Sequence, residues 1–178
     1  MLLSYNELVE LVAGGTIINC PLELVNGASV DVTLSEKIYT EMHLYNTVDF
    51  RERQPLKMRE EIITELNGYR IEPGEFILAA TQQLFNLPSD IAAEFKLKSS
   101  TARVGLNHLS SGWADPTWHG SALTLEFHNT TRFTSIRVRP GDRIGQVVFF
   151  RCAPVPEEYA YAKRGRYNRD VTAQPIKP

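Results

Sequence analysis

The 178-residue chain is short of most features that would fix a function at once. Its two cysteines, Cys20 and Cys152, lie far apart, and neither belongs to a Cys-x-x-Cys pair. That excludes a disulfide framework and a cysteine zinc site, and predicts a reducing compartment. No stretch approaches the ~20 consecutive apolar residues of a membrane span. The opening Met1-Leu2-Leu3-Ser4-Tyr5-Asn6-Glu7 lacks the basic and apolar regions of a secretion signal, so a cytoplasmic protein with no membrane partner is expected. There is no basic excess either. Nineteen Lys and Arg against twenty-one Asp and Glu give a net charge of −2, which argues against a protein that coats nucleic acid.

Signature motifs are missing as well. The histidines His43, His108, His119 and His128 show no His-x-x-x-His or His-x-Glu spacing, so a zinc hydrolase is not expected. There is no Walker loop, no Gly-x-Gly-x-x-Gly fingerprint and no Gly-x-Ser-x-Gly elbow. Internal repeats and low-complexity tracts are absent. What remains is ordinary for a folded single domain: 43% hydrophobic and 22% charged residues over residues 1–178.

The patterning is mostly that of strands. Ser4 and Glu7 form a capping box ahead of Leu8, Val9, Leu11 and Val12, and Gly14-Gly15 ends this one short amphipathic helix. Alternation then takes over in 29–34, 94–98 and 135–139, and 76–81 reads as a more buried strand. Asn26-Gly27, Pro73-Gly74 and Pro140-Gly141-Asp142 supply turns. Many short strands with few helices predict a mainly β barrel or sandwich. A charged stretch at about 49–68 reads as an insertion, partly helical. From Arg151 onward basic residues outnumber acidic ones among three tyrosines, and the tail at about 157–178 suits either closure over a polyanion or a solvated segment.

Three stretches carry chemistry-bearing side chains. Lys98-Ser99-Ser100-Thr101-Ala102-Arg103 follows a strand, and in a helical turn Ser99 and Arg103 share a face, as a phosphate site would require. An N-cap followed by a surface arginine explains the same residues and is the commoner case. Ala122 to His128 alternates, with Glu126 on the face opposite Leu123, Leu125 and Phe127. That carboxylate is either an exposed strand residue or a proton-transfer group perturbed by burial. Asp115, before Pro116, suits a ribose hydroxyl, a bound water or a simple turn.

Taken together these stretches resemble the dCTP deaminase branch of the trimeric dUTPase superfamily over nearly the whole chain. Val25 to Leu34 is similar to its Asn-Gly-Ala-x-Val-Asp strand, and Lys98 to Leu106 to its Arg-Ser-Ser-Leu-Ala-Arg-x-Gly-Leu signature. Gly112-Trp113-Ala114-Asp115-Pro116 and Thr124-Leu125-Glu126-Phe127 follow in order, then Pro140 to Phe149 and the Arg166-Tyr167 pair. The resemblance implies a distorted dUTPase-like β-barrel with a short N-terminal helix and a few peripheral helical turns, assembled as a homotrimer with sites between subunits. It implies hydrolysis of dCTP to dUTP and ammonia without zinc, feeding dUMP and dTTP synthesis, and leaves open whether dTTP inhibits.

By the same resemblance Glu126 is the proton shuttle, and Arg103 and Ser99 support it. Lys98, Ser99, Ser100, Gln146, Arg166 and Tyr167 would hold the triphosphate with its Mg²⁺, Arg103 would bind the substrate at the reacting centre, and Asp115 would meet the deoxyribose 3′-hydroxyl. Lys98 stands where the family has arginine, a point charge in place of a planar fork. Thr101 replaces a leucine, one residue is missing between Leu106 and His108, and one is extra between Asp115 and Glu126. The family often has glutamine three residues past the tyrosine, and Gln174 is left unassigned. Ser111 to Asp115 also resembles the Ala-Gly-Trp/Phe-x-Asp stretch of bifunctional members that release dUMP and pyrophosphate. The expected order is therefore a dUTP-forming deaminase, then a dUMP-forming one, then a non-catalytic nucleotide-binding regulator.

Overall fold

The Ser4 backbone N–H donates to the Glu7 carboxylate at 3.1 Å, which starts helix α1 (Tyr5–Ala13) where the capping box predicts it. Its single fully buried residue, Leu8, docks the helix, and Gly15, at φ 76°, turns the chain out of it. The computed structural model describes residues 1–44 and 47–177.

Beyond α1 the chain is mainly β. Strands β1 (Ile17–Ile18), β2 (Val30–Thr33), β3 (Lys37–Glu41), β4 (Met58–Ile62), β5 (Tyr69–Ile71), β6 (Phe76–Ala80) and β7 (Leu84–Asn86) fill the first half. The second half holds β8 (Ile91–Leu97), the short helix α2 (Ser99–Arg103), β9 (Leu106–His108), β10 (Trp113–Ala114), β11 (His119–Ser121) and β12 (Thr124–Asn129). Strands β13 (Ile136–Val138) and β14 (Arg143–Arg151) and the turn-like helix α3 (Tyr161–Arg164) complete it. Two sheets matter for the site. One runs β10-β8-β14-β2 and the other β4-β3-β6-β12-β9, with every named pairing antiparallel.

The alternation expected for 122–128 holds in β12, where Leu125 and Phe127 are buried and Thr124, Glu126 and His128 are half-buried. Phe127 joins Phe85 and Phe149 at the centre of the main core, and Phe85 lies 5.7 Å from the Trp118 ring. Each such side chain contributes about 1.5–3 kcal/mol of burial. Strand β6 reads as an unbroken apolar run because both of its faces are covered. Ile77 and Ala79 face the main core, whereas Leu78 and Ala80 form a second cluster with Ala122 and Ala173.

The charged stretch 49–68 departs from the partly helical expectation. It holds turns and the strand β4, which pairs with β3 from Lys37↔Ile62 to Glu41↔Met58. Pro55 explains the difference, since it removes a backbone donor and keeps its predecessor out of helical geometry. The charges of Arg59, Glu60 and Glu61 then lie on an edge strand, where they discourage pairing with other chains.

Candidate active site

A cavity of about 480 Å³ opens on the Glu126 face of the five-stranded sheet. The sheet supplies Phe76, Leu78, Thr124 and Glu126, and the β9–β11 connection supplies Ser111, Trp113, Asp115 and Trp118. Val48, Phe50, Gln54 and Leu56 arrive from the segment before β4, and Tyr161, Tyr167, Asp170, Gln174 and Ile176 from the C-terminal tail. The lining is largely apolar with a few convergent polar groups, the make-up of a small-molecule site.

Glu126 is the most elaborately held of those groups. Ser111 Oγ donates to its Oε2 at 2.5 Å, and His108 Nε2 stands 3.2 Å from the same oxygen. The imidazole is 4% exposed and wedged between the rings of Phe95 and Phe127, at 4.5 and 5.7 Å. Its Nδ1 accepts the backbone N–H of Ser110 at 3.1 Å, so the neutral ring carries its proton on Nε2, facing the carboxylate. The approach is too oblique for a straight hydrogen bond, and Nε2 has no other partner among the described residues. His108 had no recognisable motif in the sequence. The one available signal was its place two residues past Gly105-Leu106, in the strand leading into the Ser111 loop.

Asp115 is exposed on the cavity wall. Trp113 Nε1 donates to its Oδ1 at 2.9 Å, and the indole stacks on Phe150 at 6.2 Å. The loop can reach this place because Gly112 lies flush on strand β8, where a Cβ would come within 2.7 Å of the Phe95 Cβ.

The tail is tied to the sheet by its backbone. Trp118 Nε1 donates to the Tyr167 carbonyl at 2.5 Å, Ala122 N–H to that of Asp170 at 2.8 Å, and Gln174 N–H to Thr124 Oγ1 at 3.1 Å. Ala173 is fully buried against Leu78, Ala80 and Ala122. Lys177 closes the segment, with Nζ 2.6 Å from both Asp170 oxygens and 5.4 Å from the Tyr167 ring centroid. The position three past the tyrosine is Asp170, and both it and Gln174 line the cavity.

The remaining expected residues lie elsewhere. Lys98, Ser99, Ser100, Arg103, Gln146 and Arg166 are not among the residues lining the cavity. Ser99, Ser100 and Arg103 are exposed on α2, so that turn is helical as the spacing suggests. Lys98 reaches inward to Asp31, with Nζ 2.7 Å from both carboxylate oxygens. The Asp31 side chain is 3% exposed, and Asn26 donates to it at 2.9 Å. Gln146, opposite Asp31 in register, accepts from Ser29 Oγ at 2.9 Å. The chain therefore carries two separate clusters, a carboxylate-bearing cavity and an exposed serine and arginine turn braced by a buried ion pair.

A mainly β chain that roofs an apolar cavity with its own C-terminal segment, and sets Glu126 and Asp115 in the wall, has the make-up of an enzyme acting on a small molecule. A family model described as dCTP deaminase-like matches residues 2–152. The chain belongs to the dCTP deaminase family. It is 35% identical over 192 residues to a protein of Nanoarchaeum equitans (strain Kin4-M) named dCTP deaminase, dUMP-forming, covering 97% of this chain and 95% of that one. A second protein of the same name, from Acidothermus cellulolyticus, is 34% identical over 168 residues, covering 90% and 85%. The solved 2′-deoxycytidine 5′-triphosphate deaminase of Agrobacterium tumefaciens superimposes with a TM-score of 0.66 at 23% identity, a likeness of fold. It covers 85% of this chain, which spans about half of that chain's length, 48%. Among the described residues no helix is long and apolar enough to cross a membrane.

Proposed function

We propose that this protein deaminates dCTP by adding water at C4 of the ring, with Glu126 moving the protons. The carrying observation is the Glu126 carboxylate itself, lodged in the cavity wall with Oε2 held by Ser111 and faced by His108. That leaves Oε1 to accept a proton from the attacking water, and the same group then delivers protons to N3 and to the departing amine. His108 and Ser111 position the carboxylate through one oxygen. Trp118 and the tail exclude solvent on the other side.

The two clusters make one site only if a second copy of the chain brings its α2 to the cavity. Ser99 and Arg103 of a neighbouring copy would then meet the water and the tetrahedral centre, where a guanidinium stabilises developing charge. Val104, which caps that turn and is 55% exposed, suits such a contact. This supports the expected homotrimer. Ser100, Gln146, Arg166 and Tyr167 would hold the triphosphate. Lys98, committed to Asp31, braces the turn and leaves the phosphates to its neighbours. Mg²⁺ would arrive on phosphate oxygens and keep most of its waters. The Asp31 carboxylate beside the turn leaves that role to the nucleotide, since both of its oxygens are already engaged by Lys98.

For the product, the names of the relatives favour the second expectation, dUMP with pyrophosphate. Asp115, with Oδ1 fixed by Trp113 and Oδ2 without a partner among the described residues, would meet the 3′-hydroxyl or a second water. The test is incubation of the protein and of Glu126→Gln with Mg²⁺ and dCTP, followed by chromatography of the nucleotides. Ammonia with dUMP from the wild type alone supports the full reading, and accumulated dUTP restricts it to deamination. Equal turnover by the variant would remove Glu126 from the mechanism, and unchanged dCTP would remove the activity.

A further inference from the structure

Glu126 has neighbours of opposite chemistry on its two flanks. On the β9 side stand the hydroxyl of Ser111 and the imidazole of His108, both within 3.2 Å of the carboxylate. On the β6 side Leu78 lies directly opposite it in register, with Met58 and Phe76 packed beside the Leu78 cluster. Residues opposed in this way hold their Cβ atoms about 4.5–5.5 Å apart, so the leucine borders the carboxylate with no polar group between. Leu56 and Phe50 extend the same apolar wall over the cavity.

A cytosine ring has the same asymmetry about C4. On one side of that carbon is N3, which must receive a proton, and on the other is C5, which carries only hydrogen. With C4 over Glu126, N3 matches the Ser111 and His108 flank and C5 the Leu78 flank. Turning the ring over would set N3 against leucine and leave a buried acceptor unpaired, at a cost of about 1–3 kcal/mol.

We propose that the Leu78, Met58 and Phe76 wall receives the C5 edge of the pyrimidine and has room for a methyl group there, so that the protein also deaminates 5-methyl-dCTP. The proposal rests on the dCTP reading above. The chemistry balances without a further reactant. Water forms the C4–O bond, the C4–N bond breaks, ammonia leaves with protons relayed by Glu126, and the product is a thymidine nucleotide. The cavity, about 480 Å³, lies within the range of roughly 300–1000 Å³ that holds drug-sized ligands, and here it needs to take only the base and its sugar.

The experiment compares kcat/KM for dCTP and 5-methyl-dCTP on the wild-type protein with Mg²⁺, reading dUTP or dUMP against dTTP or dTMP. A value for 5-methyl-dCTP within about tenfold of that for dCTP is expected, because a wall without room would discriminate by about 10–200-fold. A larger loss, with dCTP still turned over, overturns the proposal and leaves the deaminase reading standing. Turnover of neither nucleotide overturns both. Leu78→Phe should then lower the ratio of the two values at least tenfold, and Met58→Phe, on the edge strand, reads the same wall should the first variant not fold. A ratio unchanged in the folded variants would show that C5 faces elsewhere.

Discussion

His108 Nε2 and Glu126 Oε2 lie 3.2 Å apart even though the histidine shares its register position, and its face, with Phe127. The contact exists because β9 ends at His108 and Ser110 turns the chain with φ 63°, which opens the sheet edge to the glutamate. The imidazole thus reaches a solvent-side carboxylate from inside the core. His108→Phe keeps the ring volume and removes the polar edge, so it should lower kcat about tenfold or more with little change in KM or in thermal stability. Steady-state kinetics beside a melting curve checks this, and a matched loss in both would make His108 a packing residue.

Ser111→Ala removes the hydroxyl that donates to Glu126 Oε2. A hydrogen bond to a charged group contributes about 1.5–3 kcal/mol, so a drop in kcat of roughly 10–100-fold is expected. Ser111→Thr should restore most of it. Failure of the threonine variant to rescue would point to loop shape in place of the hydroxyl.

If the cavity and the α2 turn meet across subunits, Glu126→Gln and Arg103→Ala should each be inactive and should complement one another. Co-refolded in equal amounts, the two would regain about one quarter of wild-type activity, the fraction of pairings with both native residues in a cyclic assembly. No recovery in a well-formed mixed oligomer would place the whole site within one chain.

Removing the ammonium of Lys98 leaves the nearly buried Asp31 carboxylate without its principal cation. Lys98→Met should cost about 3 kcal/mol in denaturant unfolding at neutral pH, and Lys98→Met combined with Asp31→Asn should recover much of it. A Lys98→Met variant of unchanged stability but weakened triphosphate binding would return the lysine to the phosphates.

Burial pushes the Cys20 thiol up to about 11, and burial likewise raises Tyr69, Tyr161 and Tyr39 above the ordinary phenol. The neutral forms are favoured in the folded state, so the unfolded chain loses these protons first as pH rises. Stability from these groups is complete below about pH 9 and declines through pH 11 and beyond. Unfolding free energies measured from pH 8 to pH 11 should fall steadily, and thiol reagents at neutral pH should modify exposed Cys152 well before Cys20.

Much of this molecule was legible from residue order alone. The capping box, the alternation of β12 and the glycine turns act over a few residues, and local rules predict them. Strand β4 was not legible, because its charges imitate an amphipathic helix and only pairing with β3 decides otherwise. Glu126 was recognisable as a carboxylate in an apolar strand. His108 was not, since its partner stands across a strand pair and motif spacing is blind to that distance. The pairing of Lys98 with Asp31 was not legible either, since its partners stand 67 positions apart.

The binding of residues 167–174 across β11 and β12 also has a consequence for biosynthesis. Chains emerge from the ribosome in order, and here the roof of the cavity is made after every strand that it covers. The sheet bearing Glu126 can form first, with Leu78 and Ala122 still uncovered until Ala173 arrives. A nascent chain arrested near Arg164 would present that apolar face to chaperones, and emergence of residues 167–174 would conceal it.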